Sequence, residues 1–98
     1  GGSMDKAKEM ANEVMKLNEA EGHWRLGSLW VMENNNIKAE EEFVKMVKAN
    51  PAYAANLGAY FSDQKKYDKA IGLFEQALSL NTNDFLTLYR YGKTSAIS

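Results

Sequence analysis

The fold is decided by residues 56–80, NLGAYFSDQKKYDKAIGLFEQALSL. Apolar residues recur every three or four positions on both sides of the polar residues 64–66, a spacing that places them on one face of a helix in each half. The polar residues between the halves indicate a turn. We therefore predict two helices, over about residues 52–63 and 67–80, joined as a helical hairpin.

The rest of the chain carries the same helical pattern. Apolar spacing predicts further helices over residues 5–17, 24–31, 37–49 and 84–91. Asp84 is the expected N-cap of the last helix. The run Asn34-Asn35-Asn36 predicts a turn, because its side chains compete for backbone hydrogen bonds, and Pro51 ends the helix before it. The abundance of Ala, Glu, Lys, Leu and Met, with one Pro, also favours helix.

Two stretches of the chain repeat one another in register. Ala54-x-x-Leu57-Gly58-x-x-Phe61 aligns with His23-x-x-Leu26-Gly27-x-x-Trp30, and Ala70-x-x-x-Phe74-x-x-Ala77 aligns with Ala39-x-x-x-Phe43-x-x-Met46. The glycine and the following alanine are 12 residues apart in both copies. Partial copies flank them, Ala7-x-x-x-Ala11-x-x-Val14 before and Leu88-x-x-Tyr91-Gly92-x-x-Ser95 after. Such fixed-period repetition is typical of a helical repeat array.

The repeated unit resembles the tetratricopeptide repeat, whose pattern is W-x-x-L-G-x-x-Y, then A-x-x-x-F, then P, on a 34-residue period. The resemblance implies an all-α array of about six helices, paired as antiparallel hairpins in a short right-handed superhelix. It also implies that Gly27, Gly58 and Gly92 let paired helices approach closely, while Phe43 and Phe74 fill the seam. Gly27 and Gly58 are 31 residues apart rather than 34, so the junction before the second repeat is three residues short.

The repeats define the expected domain organisation. Residues 4–98 form one domain, divided into a half repeat (4–19), two repeats (20–51 and 52–83) and a half repeat (84–98). Gly-Gly-Ser at residues 1–3 is interpreted as an appended tag. If Met4 is the native start, a cytoplasmic location is favoured; if the sequence is a fragment, an upstream export signal would lie outside it, so the compartment stays open.

Charge and residue types exclude several functions. Twelve basic and thirteen acidic residues give a net charge of −1, which leaves no basic surplus for nucleic acid or an anionic membrane. No apolar run is long enough to span a bilayer. Without Cys there is no thiolate nucleophile and no Cys-ligated metal. We expect no enzyme activity, no cofactor and no metal site.

The polar residues with catalytic potential have structural interpretations. His23 lacks a nearby nucleophile or second His, and the resemblance places it at the family's first aromatic packing position. The acidic run 40–42 is expected to form a solvated first helical turn, because adjacent helix positions point in different directions. Gly92-Lys93-Thr94 lacks the glycine that a phosphate-binding loop requires five residues earlier.

The resemblance implies a protein–protein interaction module, in which the first helices of the repeats line a concave groove for a partner's peptide or helix. The groove residues it implies are Trp24, Ser28, Val31, Met32, Ala55, Asn56, Ala59, Ser62, Asp63, Leu86, Tyr89, Arg90 and Lys93. Asn56 and Arg90 match the carboxylate clamp of the family's chaperone-binding branch. Trp24, Ser28 and Leu86 replace its Lys, Asn and Lys, so we expect no such chaperone partner.

A second interpretation stays open. Trp24 and Tyr89 either line the groove or are covered by the chain itself, by a further helix or by a second copy. In the latter case the chain is a structural assembly element that self-associates or docks onto the rest of its own longer chain. The apolar residues expected to mediate self-association are Met10, Val14, Tyr91 and Ile97.

Overall fold

The computed structural model describes residues 2–98, which form six α-helices, one short 3-10 helix and no strand. The helices are α1 Gly2–Leu17, α2 Glu19–Met32, α3 Asn36–Ala49, α4 Ala54–Asp63, α5 Tyr67–Leu80 and α6 Phe85–Ile97. They group into two compact units, the first ending at Asn50 and the second running from Pro51 to Ser98. The predicted all-α array of helical hairpins is confirmed. The superhelix and the single-domain boundaries stay predictions.

Side-chain caps set the starts of three helices. The side-chain oxygens of Asn18, Asn35 and Asp84 each accept a hydrogen bond, 3.2 Å long, from the backbone N–H three residues on. These bonds satisfy N–H groups that have no partner within the helix. The Asp84 cap was predicted and is confirmed. A hydrogen bond from the Thr87 hydroxyl, together with the Thr87 N–H, holds the pKa of Asp84 below its usual value.

Several helix boundaries differ from those predicted. Helix α2 begins at Glu19 rather than residue 24, and α6 ends at Ile97 rather than residue 91. Helix α1 begins at Gly2 rather than residue 5, so part of the presumed tag is helical. Asn36 belongs to α3, and the turn is made by the residues before it, with Asn34 in the left-handed region at φ 59°. Pro51–Tyr53 forms a 3-10 helix before α4. Proline has no N–H to donate and a fixed φ, so it suits the first turn of this helical stretch.

In each unit one pair of adjacent helices, α2 with α3 and α4 with α5, meets at a glycine. In the first unit the Phe43 ring of α3 lies against Gly27 of α2, with its Cδ1 2.7 Å from the place a Gly27 Cβ would occupy. In the second unit Phe74 of α5 lies against Gly58 of α4, with Cε1 at 2.7 Å from the corresponding place. Both rings are buried. The packing implied by the resemblance is therefore confirmed at these two glycines.

The third glycine of this register lies in a different environment. No atom comes within 4 Å of the place a Gly92 Cβ would occupy, so the close approach expected at Gly92 is not found among residues 2–98. Helix α6 packs on its unit through other residues, because Thr87 and Thr94 are 2% exposed. The Tyr91 hydroxyl donates to Glu75 Oε2 of α5 at 2.8 Å, which raises the pKa of Tyr91.

Helix α1 packs on α2 at a glycine that the repeat pattern does not include. The place a Gly22 Cβ would occupy touches the backbone of Met15, so only glycine lets the two helices approach this closely. The Lys8 ammonium of α1 lies 2.5 Å from Glu33 Oε1 and 3.5 Å from the centroid of the Trp30 ring. These contacts hold α1 alongside α2 over most of its length.

Candidate functional site

An open groove of about 910 Å³ runs between α1 and α2 in the first unit. Its lining is mainly apolar, and we call it the α1–α2 groove. The lining residues are Ala7, Met10, Ala11, Glu13, Val14, Lys16 and Leu17 of α1, and Glu21, Trp24, Arg25, Ser28 and Leu29 of α2.

The groove exists because α1 carries more apolar surface than α2 covers. Ala7, Met10, Val14 and Leu17 follow one another at spacings of three and four residues and so share one face of the helix. Ala11 is the buried residue of α1, whereas Met10 is 61% exposed and Leu17 is 92% exposed. Burial of a side chain of this size stabilises by about 1.5–3 kcal/mol, so this face gains free energy when another apolar surface covers it.

Trp24 forms part of the groove wall and also supports the core. Its ring centroid lies 5.3 Å from that of Phe43, with the planes tilted by 35°. The Ser28 hydroxyl, one turn further along α2, donates to the Trp24 carbonyl at 2.8 Å. The tryptophan is therefore held in a fixed position, which limits the side-chain entropy lost when a ligand packs on it.

The rim of the groove is charged but balanced. Lys16 Nζ lies 3.2 Å from Glu13 Oε1 on α1, and Arg25 Nε donates to Glu21 Oε1 at 3.2 Å on α2. Each acid is thus paired with a base on its own helix. An apolar floor with a neutral rim suits an apolar segment better than a phosphate or a free carboxylate.

Comparison with known families identifies the repeat. Residues 51–84 match the sequence profile of the tetratricopeptide repeat. Residues 51–84 form a tetratricopeptide repeat. No curated protein sequence matches the chain. Tetratricopeptide repeats generally act as protein–protein interaction scaffolds, so the match at residues 51–84 supports that general class of function.

In the first unit, the predicted groove residues separate into two pairs. Trp24 and Ser28 line the α1–α2 groove. Val31 and Met32 lie at the C-terminal end of α2 outside that lining, and Met32 is 69% exposed. Five of the seven apolar residues that line the groove belong to α1, which contributes none of the predicted residues.

The remaining predicted groove residues belong to the second unit. On α4, Ala55, Asn56, Ala59 and Ser62 are half-buried and Asp63 is exposed. On α6, Leu86, Tyr89 and Lys93 are exposed and Arg90 is half-buried. Lys93 Nζ lies 6.0 Å from the centroid of the Tyr89 ring. A single groove shared by these residues and those of the first unit stays a prediction.

The structure reveals a buried polar pair that the sequence analysis missed. His23 is buried as expected, and its Nδ1 lies 2.9 Å from Glu42 Oε1, within hydrogen-bonding distance. The prediction that residues 40–42 are all solvated is wrong for Glu42, which is 9% exposed. The signal was present, because Glu42 lies three residues after Ala39 on the inward face that also carries Phe43 and Met46.

The described part of the chain has neither a metal-binding cluster nor a membrane-spanning helix. Across residues 2–98, no cluster of three or more His, Cys, Asp or Glu side chains is placed to hold a metal ion. Within the same range, none of the helices is both long enough and apolar enough to cross a membrane.

Proposed function

We propose that this protein binds an apolar helical segment of a partner protein in the α1–α2 groove. The observation that carries the proposal is the uncovered apolar face of α1 beside Trp24, in a groove of about 910 Å³ with a balanced rim. Amphipathic helices bind such grooves through apolar side chains at spacings of three and four residues. We propose a binding role for this surface and no catalytic role.

A helix is favoured over an extended strand by comparison with the second unit. There, α5 and α6 are consecutive packed helices, as α1 and α2 are in the first unit, and α4 contacts both of them. On α4, Leu57 is 4% exposed and Phe61 is 5% exposed, so its apolar face is buried. The corresponding face of α1 and α2 holds no such helix among the described residues. A helix of about three turns, like α4, is therefore the occupant we propose.

The predicted groove residues of the second unit remain proposed contacts for the same or another partner. Tyr89 is the aromatic residue among them, and it is 66% exposed. Aromatic side chains of this kind often anchor protein interfaces. The proposed partner lacks a clamped C-terminal carboxylate, because Trp24, Ser28 and Leu86 occupy the clamp positions that need Lys, Asn and Lys.

The test compares two largely exposed apolar positions in the first unit, Leu17 and Ile37. Leu17→Glu places a charge in the groove, whereas Ile37→Glu places one on α3 outside it, at a residue that is 76% exposed. Neither substitution removes buried contacts, so both variants should fold. In affinity capture from cells that express the protein, we expect partner proteins to be retained by the unmodified chain and by Ile37→Glu, and lost from Leu17→Glu. Equal capture by all three proteins would contradict the proposal.

A further inference from the structure

Helix α6 carries a broad apolar surface outside the α1–α2 groove. Phe85, Leu86, Leu88, Tyr89 and Ile97 are between 41% and 80% exposed, and all five lie on this one helix of 13 residues. A fully exposed aromatic side chain of this kind contributes on the order of 150–250 Å². The five together thus expose roughly 500 Å², which is at the upper end of what monomeric proteins leave uncovered.

This area is more than half of the surface that each partner buries in a stable interface. Specific interfaces bury about 800 Å² on each partner, and their core is apolar while their rim is polar. An apolar area of roughly 500 Å² on α6, with the polar residues around it, supplies one such surface. The α1–α2 groove, whose Met10 and Leu17 are also largely exposed, supplies a second and different one.

We propose that α6 of one copy of the protein docks into the α1–α2 groove of a second copy. The inference rests on the proposed function of the groove and names its occupant. The proposed contact joins two different uncovered apolar surfaces, and each copy carries both the α6 surface and the α1–α2 groove.

The second unit provides the template for this contact. Leu88-x-x-Tyr91-Gly92 on α6 has the register of Ala54-x-x-Leu57-Gly58 on α4, the helix that contacts both α5 and α6. Gly58 accommodates the ring of Phe74, whereas Gly92 has no neighbour within 4 Å and so leaves its face open. On α1, Ala11 stands at the register position of Phe74. By the same register, Ala11 of one copy would face Gly92 of the second copy.

Charge favours pairing of the two different surfaces over pairing of α6 with itself. Arg90 and Lys93 are the charged residues of α6, so two α6 helices would bring like charges together. Residues 2–50 carry seven basic and nine acidic residues, a net charge of −2, and residues 51–98 carry five basic and four acidic, a net charge of +1. The rim of the groove itself is balanced, so docking of α6 there avoids the contact between like charges that pairing of two α6 helices would make.

Because the two surfaces differ, the contact is heterologous and each added copy leaves one surface of each kind free. The test uses one blocking substitution on each surface. Leu17→Glu blocks the groove, and Gly92→Glu blocks α6 at a position where a side chain meets no atom of its own chain. Ile37→Glu and Leu80→Glu are matched exposed positions outside the two surfaces, one in each unit.

Sedimentation equilibrium over a wide concentration range gives the readout. We expect the unmodified chain and the two control variants to show a mass that rises with concentration beyond that of a dimer, while Leu17→Glu and Gly92→Glu each remain monomeric. An equimolar mixture of the two blocked variants should form a dimer and nothing larger, because one intact groove meets one intact α6.

Three results would overturn the inference: a monomeric unmodified chain, association of Leu17→Glu alone, or no dimer in the mixture. The second of these would indicate pairing of α6 with α6. A monomeric chain that still captures a partner protein through the groove would leave the proposed function standing, so the two failures are distinguishable.

Discussion

Replacement of Gly58 by alanine should destabilise the protein, although alanine is the better helix former. The Cβ that the substitution adds at position 58 would lie 2.7 Å and 2.9 Å from two atoms of the Phe74 ring and 3.3 Å from the Ala70 carbonyl oxygen. Phe74 and Ala70 are both fully buried, so neither can move aside without disturbing the core. Overpacking of this kind costs about 1–3 kcal/mol. Because the contact is with a buried ring and backbone, we expect a cost of about 2–3 kcal/mol here.

The helix propensity of alanine offsets part of that cost. An alanine in place of a glycine inside a helix gains about 1 kcal/mol, so the net loss of stability is about 1–2 kcal/mol. For a domain of this size each kcal/mol shifts the Tm by about 4–8 °C, so the variant should melt about 5–15 °C lower. Gly72 is the matched control, because it lies inside α5 with no atom within 4 Å of the place its Cβ would occupy.

Thermal unfolding followed by far-ultraviolet circular dichroism measures both variants. Gly72→Ala should melt higher than the unmodified chain, since it gains the helix propensity of alanine and meets no contact. A Gly58→Ala protein that melts at or above the temperature of the unmodified chain would refute the claim that Gly58 is required by the Phe74 ring. A Gly72→Ala protein that melts lower would refute the assumed propensity gain.

Three further predictions concern polar groups. Glu42→Ala leaves His23 buried without its partner and should lower the free energy of unfolding by about 1–3 kcal/mol in chemical denaturation. The hydrogen bond to Glu75 raises the pKa of Tyr91 above its value of 10.0 in the unfolded chain, so its contribution to stability is complete below pH 10 and is lost as the pH rises through the folded-state pKa. The difference in Tm between the unmodified chain and Tyr91→Phe should accordingly shrink above pH 10; a difference independent of pH would contradict this. A peptide ending in Glu-Glu-Val-Asp should not bind, and a micromolar affinity abolished by Arg90→Ala would show that the clamp functions.

The helices themselves follow from local sequence. Apolar periodicity predicts α5 over the residues it occupies, and the Asp84 carboxylate predicts the start of α6. The Gly27 and Gly58 contacts follow from the register of the repeat, because glycine and phenylalanine recur at a fixed separation. These features depend on residues that are near neighbours in the chain or in the hairpin.

The candidate site was harder to predict because it depends on which faces stay uncovered. The resemblance assigns the groove to α2, α4 and α6, whereas most of the apolar residues lining the α1–α2 groove lie on α1. Met10 and Leu17 stay exposed although α1 packs on α2 where Met15 meets Gly22. Periodicity alone does not predict which apolar residues of α1 remain uncovered. The pairing of His23 with Glu42 likewise depends on contact between two helices.

Photo-cross-linking from the groove tests the central claim most directly. Benzoylphenylalanine replaces Leu17 in one protein and Ile37 in another, both at exposed positions of the first unit. Illumination in cells, followed by mass spectrometry, identifies what lies against each position. We predict cross-links from position 17 to an apolar helical segment of another chain, and few from position 37. Equal cross-linking from both positions, or none from position 17, would contradict the claim that the α1–α2 groove binds protein.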